Sequence, residues 1–346
     1  MNKQRYPSID CIKAIACIAV VIIHYNISGG SIPAVVGLAM KTVCRFAVPV
    51  FLCVSGFFLS SSKELDSRKI LQKVRRIGKL LFWSALFYAC YTCIYNLATA
   101  EHWDLAAYVS ERLTATKLVK LMLTHDPFVY SHLWFMIALI FCYLFVLFFL
   151  CDQNRKCIYV LAPLCLAAFN CMQEFHILPT SIAVPEMSSR IYIYNSFLFR
   201  ALPAFLIGMI LRDQCEHITA MKIPNALLWG LAVLGCGVSL LERKLFFESQ
   251  FYIGSYVTWI ALMVWAIRNP DAGNGLLVHI GRDLSMYVYI LHIAVGKGVD
   301  LLGGKLRLWG HTPYYIARPA AVLVLTLLVA EAVFSVKRAV AEAGRD

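Results

Sequence analysis

The sequence predicts an all-α integral membrane protein with about ten transmembrane helices. Of its 346 residues, 60% are hydrophobic and only 15% are charged, a composition that argues against a soluble globular protein. Ten apolar segments approach the ~20 residues that a helix needs to cross the hydrocarbon core of a bilayer. Lysines and arginines collect in alternate connections between these segments, as positive residues do on the cytoplasmic side of membrane proteins.

The predicted spans follow one another with short connections. In chain order they cover residues 9–27, 37–61, 80–99, 131–150, 157–173, 194–212, 223–241, 251–267, 284–302 and 315–336. The longest polar connection, residues 100–130, contains the stretch Leu105–Thr124, which is predicted to form an amphipathic helix at the membrane surface. We expect residues 1–346 to form a single transmembrane domain without an appended soluble domain.

The charges predict the orientation of the chain. If the N-terminus is cytoplasmic, eighteen lysines and arginines lie inside and nine outside, so both termini are predicted to be cytoplasmic. The net charge of +12 is then a topology signal, and the absence of a basic soluble domain argues against nucleic acid as a partner. The thirteen cysteines lie mostly in apolar spans, which favours packed thiols over disulfides, and no metal site is expected.

The first span carries three ionisable residues: Asp10, Lys13 and His24. Charged groups at membrane depth cost a few kcal/mol each, and they usually mark a functional site. Lys13 and His24 are eleven positions apart, which puts both on one helical face about 16 Å apart along the axis. Imidazole transfers protons near neutral pH, so His24 is a candidate base.

Five further motifs follow this one. They are Val48–Phe57 with Ser55 and Gly56, the basic run Lys73–Lys79, His132-Leu-Trp134, Arg200-Ala-Leu-Pro203 followed by Gly208, and Ser285–His292 with Tyr289. Pro203 and Gly208 are expected to bend the sixth span and open space beside it. Residues 285, 289 and 292 share one helical face. Arg45, Arg200 and Arg318 fall in the outer halves of their spans, where a cationic group suits an anionic or polar substrate.

In their order, these six motifs resemble those of the membrane-bound acyltransferase family 3, which is also related to the membrane domain of membrane-bound serine racemases. The family's opening pattern, Asp-x-x-Arg followed after ten residues by His, is similar to Asp10, Lys13 and His24 here, with Lys in place of Arg. Lys keeps the charge and loses the bidentate fork. The family's Arg-x-x-Arg motif resembles Arg76 and Lys79, without the proline that usually follows.

The resemblance implies transfer of an acetyl group from cytoplasmic acetyl-CoA to a hydroxyl of an extracytoplasmic acceptor, such as an envelope polysaccharide or a lipid-linked sugar. It implies a multi-pass protein of a bacterial cell membrane, with the lipid bilayer as its environment. The implied catalytic residues are His24, Asp10, Tyr289 and His292. The implied acetyl-CoA-binding residues are Lys13, Arg75, Arg76, Lys79 and Ser55. For binding of the acceptor, the motifs contribute His132, Trp134 and Arg200, and the outer-half depth of Arg45 and Arg318 adds these two arginines.

Simpler interpretations accompany these assignments. The basic run could serve membrane topology alone, Ser55 and Gly56 could serve helix packing, Trp134 could belong to the interfacial aromatic belt, and the 285–292 stripe could bond neighbouring helices. A transporter of a small acid or amino acid is the alternative function, and a non-catalytic scaffold is a third. Ten spans suit a transporter, whereas the Lys13-to-His24 register and the basic run are not required for transport. The oligomeric state, including a homo-oligomer, is left open.

Overall fold

The computed structural model describes residues 5–60, 65–99, 103–127, 130–184, 189–246 and 248–343. It is 81% helical, which confirms the all-α prediction. Lys63, one of the cations used to predict the orientation, lies outside the described residues.

The α-helices of the described chain, numbered in order, have the following bounds: α1 Pro7–His24, α2 Ala34–Val43, α3 Ala47–Leu59, α4 Ser67–Thr99, α5 Leu105–Arg112, α6 Ala115–Thr124, α7 Trp134–Phe149, α8 Ile158–Gln173, α9 Phe197–Arg200, α10 Leu202–Asp213, α11 Cys215–Ala220, α12 Asn225–Leu245, α13 Ile253–Arg268, α14 Gly275–His279, α15 Ser285–Lys305 and α16 Thr312–Ala343. A 3-10 turn, Cys44–Phe46, joins α2 to α3, and a π-helical turn, Ile280–Leu284, joins α14 to α15. Strands β1 (Ser181–Val184) and β2 (Ser189–Tyr192) form an antiparallel hairpin in which Ser181 pairs with Tyr192.

Helices occupy all ten predicted spans. Within the described ranges, eight helical segments are long and apolar enough to cross a membrane. The other two predicted spans are shorter than expected: the eighth is the 16-residue helix α13, and the sixth is interrupted at Ala201, between α9 and α10. The predicted multi-pass membrane protein is therefore confirmed, with one broken span.

The predicted surface helix Leu105–Thr124 is instead two helices, α5 and α6. Each has its own N-cap: the Asp104 carboxylate accepts a hydrogen bond from the Ala106 amide at 2.8 Å, and the Thr114 hydroxyl accepts one from the Lys117 amide at 3.2 Å. A side chain that caps the amides of a new first turn ends the preceding helix, so Thr114 explains the break.

Contacts along the chain group it into two compact units, residues 1–51 with 214–346 and residues 52–213. In the first unit, α1 is the central helix and packs against α2, α13, α14, α15 and α16. Its buried face includes Ala14, Cys17 and Val21, which lie in one apolar cluster with Val288 and Val322. The span with the three ionisable residues is therefore the one around which this unit is built.

Helices α1 and α15 run side by side in the same direction. Near the start of the pair, the Cys17 thiol lies 3.8 Å from the Ser285 carbonyl oxygen, and at its end the Tyr25 hydroxyl donates to the Ile293 carbonyl at 3.1 Å. The π-helical turn packs closely on the first turns of α1, since a Cβ on Gly281 would lie 1.7 Å from the Asp10 carbonyl oxygen. This contact admits only a glycine.

In the second unit, α3 and α10 cross with their backbones in contact. A Cβ on Gly56 would lie 1.9 Å from the Phe205 carbonyl oxygen, and one on Gly208 would lie 2.0 Å from the Cys53 carbonyl oxygen. Small residues permit this approach between membrane helices. The expectation that Gly208 opens space beside its span is therefore wrong, because Gly208 brings two helices together. The interruption of that span lies before Pro203, at the buried Ala201.

Candidate active site

The N-terminal end of α1 holds an ion pair. Lys13 Nζ donates to Asp10 Oδ1 at 3.0 Å, one turn apart on the helix, with both side chains about four-fifths buried (18% and 20% exposed). Arg282, on the π-helical turn, lies within electrostatic range of Asp10. Asp10 is thus the ion-pair partner of Lys13. It lies about 21 Å along the helix axis from His24.

The other end of α1 brings two histidines together. His24 is the last residue of α1, and its ring centroid lies 5.1 Å from that of His292 on α15, with the planes tilted by 50°. His24 is exposed, whereas His292 is fully buried. The two residues lie at one level of the helix pair, because the helical segment with His292 begins at Gly275 and runs parallel to α1.

A backbone contact fixes the orientation of the buried histidine. His292 Nδ1 lies 3.0 Å from the Val288 carbonyl oxygen. A carbonyl only accepts, so Nδ1 carries the proton, and in the neutral ring Nε2 is then the acceptor. The Tyr289 ring lies 6.4 Å from the His292 ring, so three predicted catalytic residues, His24, Tyr289 and His292, are neighbours.

Arg318 lies next to Tyr25, the residue that follows His24. Its guanidinium is 5.4 Å from the Tyr25 ring centre, and its Nε is 3.6 Å from Asp300 Oδ1. The Tyr25 ring fills the space over Gly296, where a Cβ would lie 1.9 Å from the ring. These contacts fix the end of α1, so Arg318 positions the element that carries His24.

Arg45 belongs to a charged group that the sequence did not reveal. Lys41, Arg45 and Arg243 surround the Glu248 carboxylate, with nitrogen-to-Oε1 distances of 3.1, 2.8 and 3.9 Å. We call these four residues the Glu248 cluster. Partial burial raises the pKa of Glu248, but the hydrogen bond from Lys41 and the charges of the three cations outweigh it and lower the pKa below its ordinary value. His24 lies within electrostatic range of Lys41.

The predicted acetyl-CoA-binding residues of the second unit lie mainly on α4. Arg75, Arg76 and Lys79 are exposed there, on the turns that precede the apolar part of the helix. Ser55, on α3, forms a side-chain hydrogen bond with Tyr143. This bond assigns Ser55 a packing contact, whereas the exposed cations remain accessible to an anion.

The other predicted acceptor-binding residues of this unit form aromatic contacts. The Arg200 guanidinium lies 3.3 Å from the Trp134 ring centre, in a cation–π contact. His132 is buried edge-on against Tyr88, with ring centroids 4.8 Å apart. Arg200 therefore has a partner at membrane depth, as an intramembrane arginine requires.

The structure gathers the predicted residues into separate groups. Asp10 pairs with Lys13; His24, Tyr289 and His292 lie together with Arg318 nearby; Arg75, Arg76 and Lys79 share one helix; and Trp134 pairs with Arg200. Sequence reasoning missed Lys41, Arg243 and Glu248. The spacing of Lys41 and Arg45 on one face offered a signal, but their contacts to Glu248 join residues more than 200 positions apart.

Comparison with known families decides the class of protein. The model of acyltransferase family 3, described as an acyltransferase domain, matches residues 6–333. The chain belongs to this family. No curated protein and no solved structure matches the chain. The family member described here is therefore a multi-pass membrane acyltransferase, and the fold of the matched region is the helical one given above.

Proposed function

We propose that this acyltransferase moves an acetyl group from cytoplasmic acetyl-CoA to a hydroxyl of an extracytoplasmic envelope acceptor, with His24 as the general base. The observation that carries the proposal is the pair of histidines at the C-terminal end of α1. The His24 side chain reaches the protein surface, and the His292 ring is buried and oriented by the backbone. Such a pair serves proton transfer.

His292 positions His24 in this proposal. In this proposal, Nδ1 of His292 carries the proton toward Val288, and Nε2, the acceptor nitrogen of the neutral ring, accepts an N–H from the His24 ring beside it. The second nitrogen of His24 then keeps its lone pair for the acceptor hydroxyl. A buried ring that fixes the tautomer of an exposed one resembles the base–orienter relation of other acyl-transfer sites.

The chemical step follows from these roles. His24 takes the proton of the acceptor hydroxyl as the oxygen attacks the carbonyl carbon of the acetyl thioester. The carbon–sulfur bond breaks, the CoA thiolate leaves, and the proton held by His24 returns to it. In a second route, His24 attacks the thioester carbonyl and the CoA thiolate leaves. The acetylated imidazole then passes the acetyl group to the acceptor hydroxyl and takes up the hydroxyl proton as its bond to the acetyl group breaks.

The donor substrate requires cations for its phosphates. Lys13 lies about 16 Å along α1 from His24, comparable to the length of a pantetheine arm. It already has Asp10 as a counter-ion, so it contributes a hydrogen-bond donor more than a net charge. Arg75, Arg76 and Lys79 are exposed, and they supply the charge for the nucleotide end. The positive-inside bias supports a cytoplasmic location for both groups.

The test uses the purified chain. We expect release of free CoA thiol from acetyl-CoA to depend on an envelope acceptor fraction, and labelled acetyl to appear on that fraction. If the purified chain, shown to be folded, transfers acyl groups from a different donor and not from acetyl-CoA, the donor assignment is wrong. Trapping of acetylated His24 by mass spectrometry without acceptor would select the second route, and its absence would favour direct transfer.

One observation favours the alternative, a transporter of a small acid or amino acid. The sixth predicted span is interrupted at Ala201, and interrupted helices line the substrate sites of many transporters. Uptake of labelled amino acids into proteoliposomes without acetyl-CoA would support transport, whereas acetyl transfer without uptake would exclude it as the main activity.

A further inference from the structure

The Glu248 cluster carries more positive charge than its own carboxylate can balance. Lys41, Arg45 and Arg243 supply three cations to one anion. Excess charge that is partly withdrawn from water is costly unless an anion or hydrogen bonds compensate it. The cluster therefore needs an anionic ligand to balance its charge.

The exposure of the four side chains shows how a ligand would enter. Arg45 and Arg243 are recessed, at 13% and 20% exposed, and Lys41 is at 32%. Glu248 lies at the rim, 47% exposed, on the loop between α12 and α13. A carboxylate on a loop can be displaced by an incoming anion, while the cations behind it stay in place.

Backbone and hydroxyl contacts hold the two guanidinium groups. Arg45 Nη1 donates to the Gln250 carbonyl at 3.3 Å, and Arg243 Nη1 lies 3.4 Å from Thr42 Oγ1. Arg45 Nε is buried and has no hydrogen-bond partner among the described residues. A recessed arginine with an unused donor, fixed in direction by a carbonyl, suits recognition of a planar carboxylate or of a phosphate.

The cluster adjoins the proposed base. Helix α1 packs against α2 and against the 3-10 turn Cys44–Phe46, the elements that carry Lys41 and Arg45. Gly37, one turn before Lys41 on α2, packs against Asn26, two residues after His24: a Cβ on Gly37 would lie 2.5 Å from Asn26 Oδ1. A ligand held by the cluster would therefore lie beside the histidine that receives the acceptor proton.

We propose that Lys41, Arg45 and Arg243 form an anion-binding subsite for the acyl acceptor, so that this enzyme acylates a hydroxyl on a molecule that bears a phosphate or carboxylate, with Glu248 as the displaceable counter-ion. The proposal rests on the assignment of His24 as the base. It deepens that assignment because it restricts the acceptor to anionic compounds.

Binding of small probes to the full chain in detergent tests the subsite without any chemical step. The probes are glycerol 3-phosphate for the phosphate source, glucuronate for the carboxylate source, and glycerol and glucose as neutral counterparts. We expect one of the two anions to bind about 10- to 100-fold more tightly than its neutral counterpart, as one or two charge-assisted hydrogen bonds would give. The anion that binds identifies the source. Equal binding of anion and neutral probe would overturn the proposal.

Variants connect the binding to the named residues. Arg45→Gln with Arg243→Gln should lose the anion preference, and Arg45→Lys, which keeps the charge, should retain part of it. Glu248→Gln should strengthen anion binding, since it removes the competing carboxylate. Lys244→Gln is the matched control: it removes one exposed positive charge from the same last turn of α12 and should leave binding unchanged. Thermal unfolding of each variant shows whether it is folded.

Three outcomes would contradict the subsite. Unchanged anion binding in the folded double variant would remove the arginines from it. If Lys244→Gln weakens anion binding as much as the double variant does, the binding reflects general surface charge and not the cluster. If phosphatidylglycerol vesicles bind through the cluster and neither small anion competes, the cluster holds a bilayer headgroup and not the acceptor. Failure of acetyl transfer with anion binding intact would instead count against the base assignment alone.

Discussion

Replacement of His24 by alanine separates chemistry from binding and from stability. General-base catalysis contributes roughly 10²- to 10⁴-fold, so we expect the transfer rate to fall by that factor, or by about 2.7–5.5 kcal/mol in activation free energy. His24 is exposed at the end of α1, where a truncation changes the free energy of unfolding by only about 0.5 kcal/mol. Lys13 lies about 16 Å away along the axis, so the affinity for acetyl-CoA should remain.

The assay measures acceptor-dependent release of free CoA thiol under saturating donor, with acetyl-CoA affinity and thermal unfolding measured on the same preparations. His311→Ala is the control, because His311 is an exposed histidine in the turn between α15 and α16. A loss of less than tenfold in the His24 variant would refute the assignment and shift it to His292. Equal loss of acetyl-CoA affinity would show that His24 holds the donor and does not act as the base.

The remaining predictions concern the donor site and helix packing. Lys13→Arg should retain acetyl-CoA affinity because the charge and the pair with the neighbouring carboxylate persist, whereas Lys13→Met should weaken it about 10- to 100-fold in calorimetry. Arg76→Gln combined with Lys79→Gln should weaken it about 100-fold or more, and unchanged affinity in the folded double variant would remove the α4 cations from the donor site. Gly208→Ala should destabilise the protein by about 1–3 kcal/mol in thermal unfolding, because its Cβ would lie 2.0 Å from a carbonyl oxygen. Gly230→Ala, on a helix with nothing within 4 Å of the added Cβ, should be neutral or stabilising, and equal effects of the two would contradict the close-packing argument.

The spans could be predicted from the sequence because each requires a long apolar stretch, and helices occupy all ten. The local irregularities were predicted only in part. Pro203 predicts a bend in the sixth span, because proline lacks an amide donor and its ring crowds the preceding turn, and the structure places the interruption two residues earlier, at Ala201. The division of the 105–124 stretch depends on whether the Thr114 hydroxyl accepts from the next amides, a contact that hydropathy does not record.

The candidate site was predictable residue by residue, but not as an arrangement. Periodicity placed Lys13 and His24 on one helical face, and Ser285, Tyr289 and His292 on another. Only the packing of α1 along α15 shows that these two faces lie next to each other. The Glu248 cluster was outside the reach of spacing arguments altogether, since it joins α2 to the far end of α12.

The π-helical turn Ile280–Leu284 sets the direction in which His292 points. Such a turn holds one residue more than an α-helical turn, and one residue corresponds to about 100° of rotation about the helix axis. Loss of a single residue there would turn the whole stretch from Ser285 onward, and with it His292, away from His24 without altering either side chain. The length of this turn is therefore as much a requirement of the proposed catalytic pair as the two imidazoles themselves, and an alignment that closes a gap at this point would conceal it.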